Sequence, residues 1–199
     1  MERLLDDVIY DLGELDFIEA VSVAGLAYAD TLLSEMSGLE QNRLVGAALI
    51  ASNARTPDLS RHTFQELVNS GRIGLLRSRA VRLALARYDR AVAEQEGFWS
   101  ISSYEFSFWV ESRVPYGLRG HFSSACADSS DPIWQKTLTA CPFDLGEWSA
   151  EGLRRDLGSD EARRLITLYT HRHGGARDIV RSLRSEAEAL RQTLEQESD

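Results

Sequence analysis

Cys126 and Cys141 are the residues in this chain whose type most directly suggests chemistry. They enclose a loop that a bridge would stabilise by roughly 3 kcal/mol on the chain-entropy model. An oxidising compartment predicts that disulfide, and a reducing one leaves two incidental thiols. Their separation rules out a C-x-x-C redox motif, and no two further ligands accompany them for zinc. His171 and His173 are two residues apart, so on a helix they point in different directions and cannot share a metal as i, i+4 residues do. His173 falls on an apolar seam, as a hydrogen-bonded core histidine would, and His171 faces solvent.

Aromatic residues crowd one stretch, with Phe98, Trp99, Tyr104, Phe106, Phe108 and Trp109 within a dozen positions. Core packing accounts for such a cluster. The alternative is a ligand pocket or partner surface, because Trp and Tyr are favoured at binding hot spots. The candidate surface comprises Trp99, Tyr104, Phe106 and Trp109, with Trp134 and Trp148 completing it. Serines and carboxylates are plentiful but form no nucleophile elbow, phosphate loop or paired acid/base signature. No catalytic, cofactor-binding or metal-binding residue is assigned on this basis, and no cofactor is expected.

The 199 residues suit one domain with enough apolar content for a core. A net charge of −9 argues against nucleic acid, and against an anionic membrane surface as the main partner. All but one of the 22 basic residues are arginine, which reads as a coding bias. No window reaches the ~18 to 20 apolar residues needed to span a bilayer. The acidic, periodic start is unlike a signal peptide.

These residues must be positioned by helices. Leu5, Val8, Leu12, Leu15, Ser22, Leu26, Ala29, Leu33 and Met36 alternate steps of three and four, interrupted only by Glu19. That pattern predicts a long amphipathic helix ending near Gly38. A shorter apolar helix spans about 39–54. A long helix from Ser78 is expected to last until Pro115 forbids its continuation. The last helix carries Ala162, Ile166, Tyr169, His173, Ala176, Val180, Leu183, Ala187, Leu190 and Leu194 on one unbroken seam. Its register passes through Gly174 and Gly175, although two glycines cost roughly 2 kcal/mol in a helix interior.

Three helices of about 35 residues, each about 50 Å long, predict an all-α, elongated antiparallel bundle in a single domain. The 39–70 pieces supply a broken fourth member. The acidic first helix (Asp6, Asp7, Asp11, Glu14, Asp16, Glu19) would face Arg177, Arg181, Arg184 and Arg191 of an antiparallel last helix. Both termini would then lie at one end. Residues 114–158 hold both cysteines, three of the four prolines and many Ser, Gly and Asp residues, and so read as an irregular cap.

Residues 55–88 give the densest local instructions. Pro57 blocks helix. Ser60 is an N-cap candidate, with Leu59 and Phe64 spaced as a hydrophobic staple, and Thr63 with Glu66 offers a rival capping-box start. Gly71 is a helix stop and Ser78 a second N-cap. The residues Thr63, Phe64, Glu66, Leu67, Ser70, Gly71, Leu75, Leu76, Arg77, Arg82, Leu85 and Tyr88 resemble a motif of an uncharacterised family of small bacterial proteins with an N-terminal membrane anchor. The resemblance also covers the acidic leading helix and the closing helix. It implies a helical extracytoplasmic (periplasmic) domain, with no catalytic residues to carry over. The family's anchor helix is absent from these residues, so a cytoplasmic location is the alternative. The expectation is a non-enzymatic binding or scaffolding module that engages another envelope or membrane protein. The runner-up is a small-molecule sensor domain, and an enzyme of unknown type comes third.

Overall fold

The computed structural model describes residues 2–53, 55–100, 104–126 and 144–197. Every regular element among them is helical: α1 (Glu2–Ser34), α2 (Gln41–Ala51), α3 (His62–Asn69), α4 (Arg79–Ser100), α5 (Glu105–Glu111), α6 (Tyr116–Cys126), α7 (Glu151–Leu157) and α8 (Asp160–Gln196). Short 3-10 turns occupy Met36–Gly38 and Arg72–Leu75. The all-α class is therefore as expected. The chain divides into two compact units. The first comprises Met1–Ile18, Thr56–Ser102 and Asp178–Asp199, and the second Glu19–Arg55 and Ser103–Arg177.

All ten seam residues expected on α8 are buried, and the helix runs unbroken through Gly174 and Gly175. An apolar residue at each three-four step except His173 is what keeps so long a helix on its partners. The seam of α1 is phased differently. Its buried line is Leu4, Val8, Asp11, Leu15, Ile18, Ser22, Gly25, Ala29 and Leu32. Val8, Leu15, Ser22 and Ala29 match the expectation, whereas Leu5, Leu12, Leu26 and Leu33 are only half-buried. Hydrophobicity alone favoured a leucine over Asp11 and over Gly25. Each of those two is buried for a specific reason, given below.

Within the first unit, α1 and α8 pass antiparallel: Leu4 and Leu190 line one small cavity, and Asp16 pairs with Arg184. Of the arginines expected to meet α1, Arg191 instead pairs along its own helix with Glu195 at 3.6 Å. Three of the α1 carboxylates have a different task. Asp7, Asp11 and Glu14, spaced i, i+4, i+7 on one face, accept the backbone N–H groups of Thr63 (3.3 Å), Ser60 (2.5 Å) and Asp58 (3.3 Å). The start of α3 is therefore held by α1. The expected local cap is corrected: α3 opens at His62 after Arg61, and no side-chain cap comes from Ser60 or Thr63. Gly71 does stop the segment, with φ +70°, a region only glycine enters without a steric penalty. Ser78 does cap α4, its hydroxyl accepting from Val81 N–H (3.3 Å) and donating to Glu197 (2.7 Å).

In the second unit α2 is buried almost all round, with Leu44, Val45, Ala47, Ala48, Ile50 and Ala51 in the core. Ala24, Ala29 and Leu32 of α1 join it, with Phe106, Trp109, Val110, Leu153, Leu157, Ile166 and Tyr169. Two expectations fail here. The long helix due to reach Pro115 ends at Ser100, and α5 starts separately at Glu105. Ser100, Ile101, Ser102 and Ser103 are weak helix formers, which the apolar pattern did not weigh. Pro115 opens α6 instead of closing a helix, its carbonyl accepting from Leu118 (3.0 Å) and Arg119 (3.2 Å). Proline is tolerated there because the first turn's N–H groups have no intrahelical partner. Residues 114–158 are accordingly not irregular throughout, since α6 and α7 lie within them. Arg154 of α7 donates to the carbonyls of Met36 (2.6 Å) and Leu39 (2.5 Å), closing the turn that follows α1.

By length and composition α1 is long and apolar enough to cross a membrane, with a mean hydropathy of 1.3 over its most apolar window. The expectation that no window qualifies is corrected to that extent. A buried core helix has the same composition, and Ala24, Ala29 and Leu32 are core residues of the second unit.

Candidate functional site

The second unit contains an open cleft of about 360 Å³ where the end of α2 meets α5 and α6. Its polar side begins with the last carbonyls of α2, which have no partner within the helix. Backbone N–H groups of Ser52 and Asn53 meet Ala48 O and Ile50 O, and side chains satisfy the others. Ser52 Oγ donates to Leu49 O (3.1 Å), His173 Nε2 to Ala51 O (3.3 Å) and Ser107 Oγ to Ser52 O. Donation to a carbonyl fixes His173 as the Nε2–H tautomer. Burial pushes the His173 pKa down; the Ala51 bond opposes this and nearby Arg172 adds to it. The ring rests directly on Gly25, where a Cβ would stand 2.6 Å from Cε1 and closer still to Nε2. Glycine at position 25 thus makes room for the imidazole.

Ser107 also meets the Tyr169 hydroxyl at 2.9 Å. Since the Ser107 proton goes to Ser52 O, the Tyr169 hydroxyl is the donor in that contact. Neither group stands beside a free base. His173 is committed to Ala51, so this trio organises a helix end and does not activate a nucleophile. Among the described residues, no group of three or more His, Cys, Asp or Glu converges as metal ligands.

The apolar side of the cleft comes from α5. Phe106, Trp109 and Val110 point into the core, leaving Tyr104 (43% exposed) and Phe108 (65%) on the outer face, their ring centroids 6.2 Å apart. Leu49, Ile50 and Phe122 complete the wall. Arg119 pairs with Glu111 across the rim at 3.1 Å, and Arg55 lies on the same rim. Arg172 stands 5.8 Å from the Tyr104 ring centre, and desolvation lowers its pKa.

The aromatic residues singled out from the sequence therefore separate. Tyr104 belongs to the cleft. Phe106 and Trp109 are core: Phe106 packs edge-on against Tyr169 at 5.3 Å and stacks with Trp109 at 6.0 Å. Arg113 covers the Trp109 ring at 3.8 Å while bonding Asp156 at 3.1 Å. Trp148 is half-buried against the same core. Trp134 and Cys141, with the side chains of Trp99 and Cys126, lie outside the described residues. His171 is exposed, as its position off the seam required. Sequence reasoning passed over Ser107, Arg119 and Glu111; only the i, i+4 spacing of Tyr104 and Phe108 on a short amphipathic helix could have suggested this face.

The first unit has a polar centre of its own. Asp11 is buried and accepts from the Tyr88 hydroxyl at 2.7 Å as well as from Ser60 N–H. Burial raises its pKa to about 6; the two hydrogen bonds lower it, and Asp7 and Glu14 add to the rise. Tyr88 is held well above the usual phenol range by burial and by the adjacent carboxyl. Arg61 lies beside this pair, clamping Asp89 through Nε (2.8 Å) and a terminal nitrogen (2.6 Å). Every one of these groups has a partner within the unit, as a structural network requires.

No protein-family model, curated protein or solved structure matches this chain.

Proposed function

We propose that the chain is a non-enzymatic binding or scaffolding module of a membrane-anchored envelope protein, engaging its partner through the α5–α6 cleft. The observation that carries this reading is the outward pair Tyr104 and Phe108, held on a helix whose other face is locked into the core. An exposed aromatic pair on a rigid element, rimmed by charged groups, has the composition of a protein-binding hot spot. The antiparallel bundle, the extracytoplasmic location and a Cys126–Cys141 bridge belong to the same reading. The antiparallel passage of α1 and α8 in the first unit supports the bundle, and the resemblance over 63–88 supports the location, which would allow the bridge. Affinity purification of the complete gene product from its own membranes tests it. The expected result is a stoichiometric envelope partner that Phe108→Glu loses without a change in unfolding midpoint, and retention of that partner by the variant would refute the reading.

The cleft volume favours a second reading. About 360 Å³ lies within the range of small-molecule pockets, so a sensor domain binding a metabolite between α2, α5 and α6 fits the same geometry. Thermal stabilisation by a specific metabolite, lost in Phe108→Glu, would distinguish it from the scaffold.

A further inference from the structure

The net charge of the chain hides a local reversal. Between Glu66 and Asp89 there is no acidic residue, while Arg72, Arg77, Arg79, Arg82 and Arg87 fall within that stretch. Its centre is the 3-10 turn Arg72–Leu75, entered through the left-handed Gly71 and left through an extended Leu76. Side chains three apart eclipse one another in a 3-10 turn, so Arg72 and Leu75 project on the same side. Leu75 is 74% exposed, the most exposed of the large aliphatic residues described. Arg77 and Arg79 follow immediately and are also exposed. Arg82 does not project with them. It folds back to donate to the carbonyls of Leu76 and Arg77 and so holds the turn in shape. Of the acidic groups near the turn, Glu66 pairs with Arg3 at 3.6 Å, Glu197 accepts from Ser78, and Glu2 lines the adjoining groove. Beside the turn a groove of about 350 Å³ opens, with Leu4, Leu67 and Leu76 in its walls and Glu2, Arg3, Glu66 and Arg72 among its polar groups.

We infer that this corner docks on an anionic lipid surface, with Leu75 entering the acyl boundary and Arg72, Arg77 and Arg79 contacting lipid phosphates. A protruding leucine ringed by arginines suits that boundary, because the apolar side chain gains by leaving water while each guanidinium meets fixed negative charge. A protein partner would be expected to meet a broader apolar patch than one protruding side chain. The overall charge of −9 does not oppose this, since attraction falls off within a Debye length and only the local surface is felt.

The test is co-sedimentation of the full chain with vesicles of phosphatidylcholine alone and of phosphatidylcholine mixed with phosphatidylglycerol, at low and high salt. Binding is expected only to the mixed vesicles and is weakened by salt. Leu75→Asp should abolish it. Replacing Arg72, Arg77 and Arg79 together by glutamine should weaken it roughly a hundredfold, at about fivefold per charge. These side chains are exposed, so the unfolding midpoint should stay at the wild-type value. Leu168→Asp, an exposed leucine in the second unit, should bind as wild type does. No sedimentation of the wild type, equal binding to neutral vesicles, or wild-type binding by the Leu75 and arginine variants would each overturn the inference.

Discussion

The imidazole of His173 lies flat against Gly25, so close that the two positions can only be read together. A methyl group on residue 25 would penetrate the ring, and the ring cannot retreat without releasing Ala51 O. Gly25→Ala should therefore destabilise the protein by about 2–4 kcal/mol, overpacking plus a lost buried hydrogen bond. His173→Ala should cost a similar amount by leaving a cavity and an unpaired carbonyl. The double variant should cost less than the sum by about 1–2 kcal/mol, because alanine at 173 leaves room for the new methyl. Urea midpoints of the four proteins measure this, and strict additivity would show that the contact does not limit either site.

Stability should carry two opposite pH dependences. His173 has a lowered pKa when folded, so its contribution is present above the ordinary histidine value and is lost as pH falls through the folded pKa. Asp11 has a folded pKa raised to about 6, so the folded state binds a proton the unfolded chain releases. Its contribution is complete below the unfolded value of 3.8 and is lost as pH rises through about 6. Asp11→Asn removes the charge, keeps an acceptor oxygen for Ser60 N–H and turns the other contact round, its amide N–H donating to the Tyr88 hydroxyl. At neutral pH it should match or exceed the wild type by on the order of 2 kcal/mol, with roughly half of that advantage gone near pH 5 and most of it by about pH 4.5. Chemical denaturation of both proteins across pH 4.5–8 measures the difference, and parallel curves would contradict it.

Arg154 joins α7 to the turn after α1 through two carbonyls that need two donors in a fixed fork. Arg154→Ala should cost about 2–3 kcal/mol, since both acceptors lose a charged partner. Arg154→Lys should recover less than half, because one ammonium cannot span both oxygens as the guanidinium does. Comparable midpoints for the lysine variant and the wild type would mean that charge alone matters at the turn.

What the sequence made legible follows from what each residue does. The seam from Ala162 to Leu194 could be read because α8 uses apolar side chains at every one of its buried steps except His173. The phase of α1 could not, because two of its buried positions are Asp11 and Gly25. The first is satisfied by Tyr88 and by Ser60, far along the chain, and the second exists to admit His173. The same logic hid the cap of α3. Ser60 has the right chemistry for an N-cap, yet the carboxylates of Asp7, Asp11 and Glu14 hold this segment from another helix. Of the candidate site, the aromatic stretch was visible, but the division between inward Phe106 and outward Phe108 depended on where α4 stops and α5 begins. Tertiary partners of polar groups and the ends of short helices are the two things periodicity does not encode.

Phe106 and Phe108 are two residues apart on α5 and should behave as opposites. Phe106 is fully buried between Tyr169 and Trp109, so Phe106→Ala should cost about 3–5 kcal/mol through lost burial and an unfilled cavity. Phe108 is 65% exposed on the cleft wall, so Phe108→Ser should change stability by no more than about 0.5 kcal/mol. Binding should reverse the order. A partner or metabolite seated in the cleft touches Phe108 directly and meets Phe106 only through the helix. Phe108→Ser should therefore weaken binding by at least about tenfold, the effect of losing one aromatic anchor. The thermal shift of each variant, with and without the captured partner or metabolite, separates the two roles. A Phe108 variant that loses stability but keeps its ligand would place this side chain in the core and remove the cleft as the binding surface.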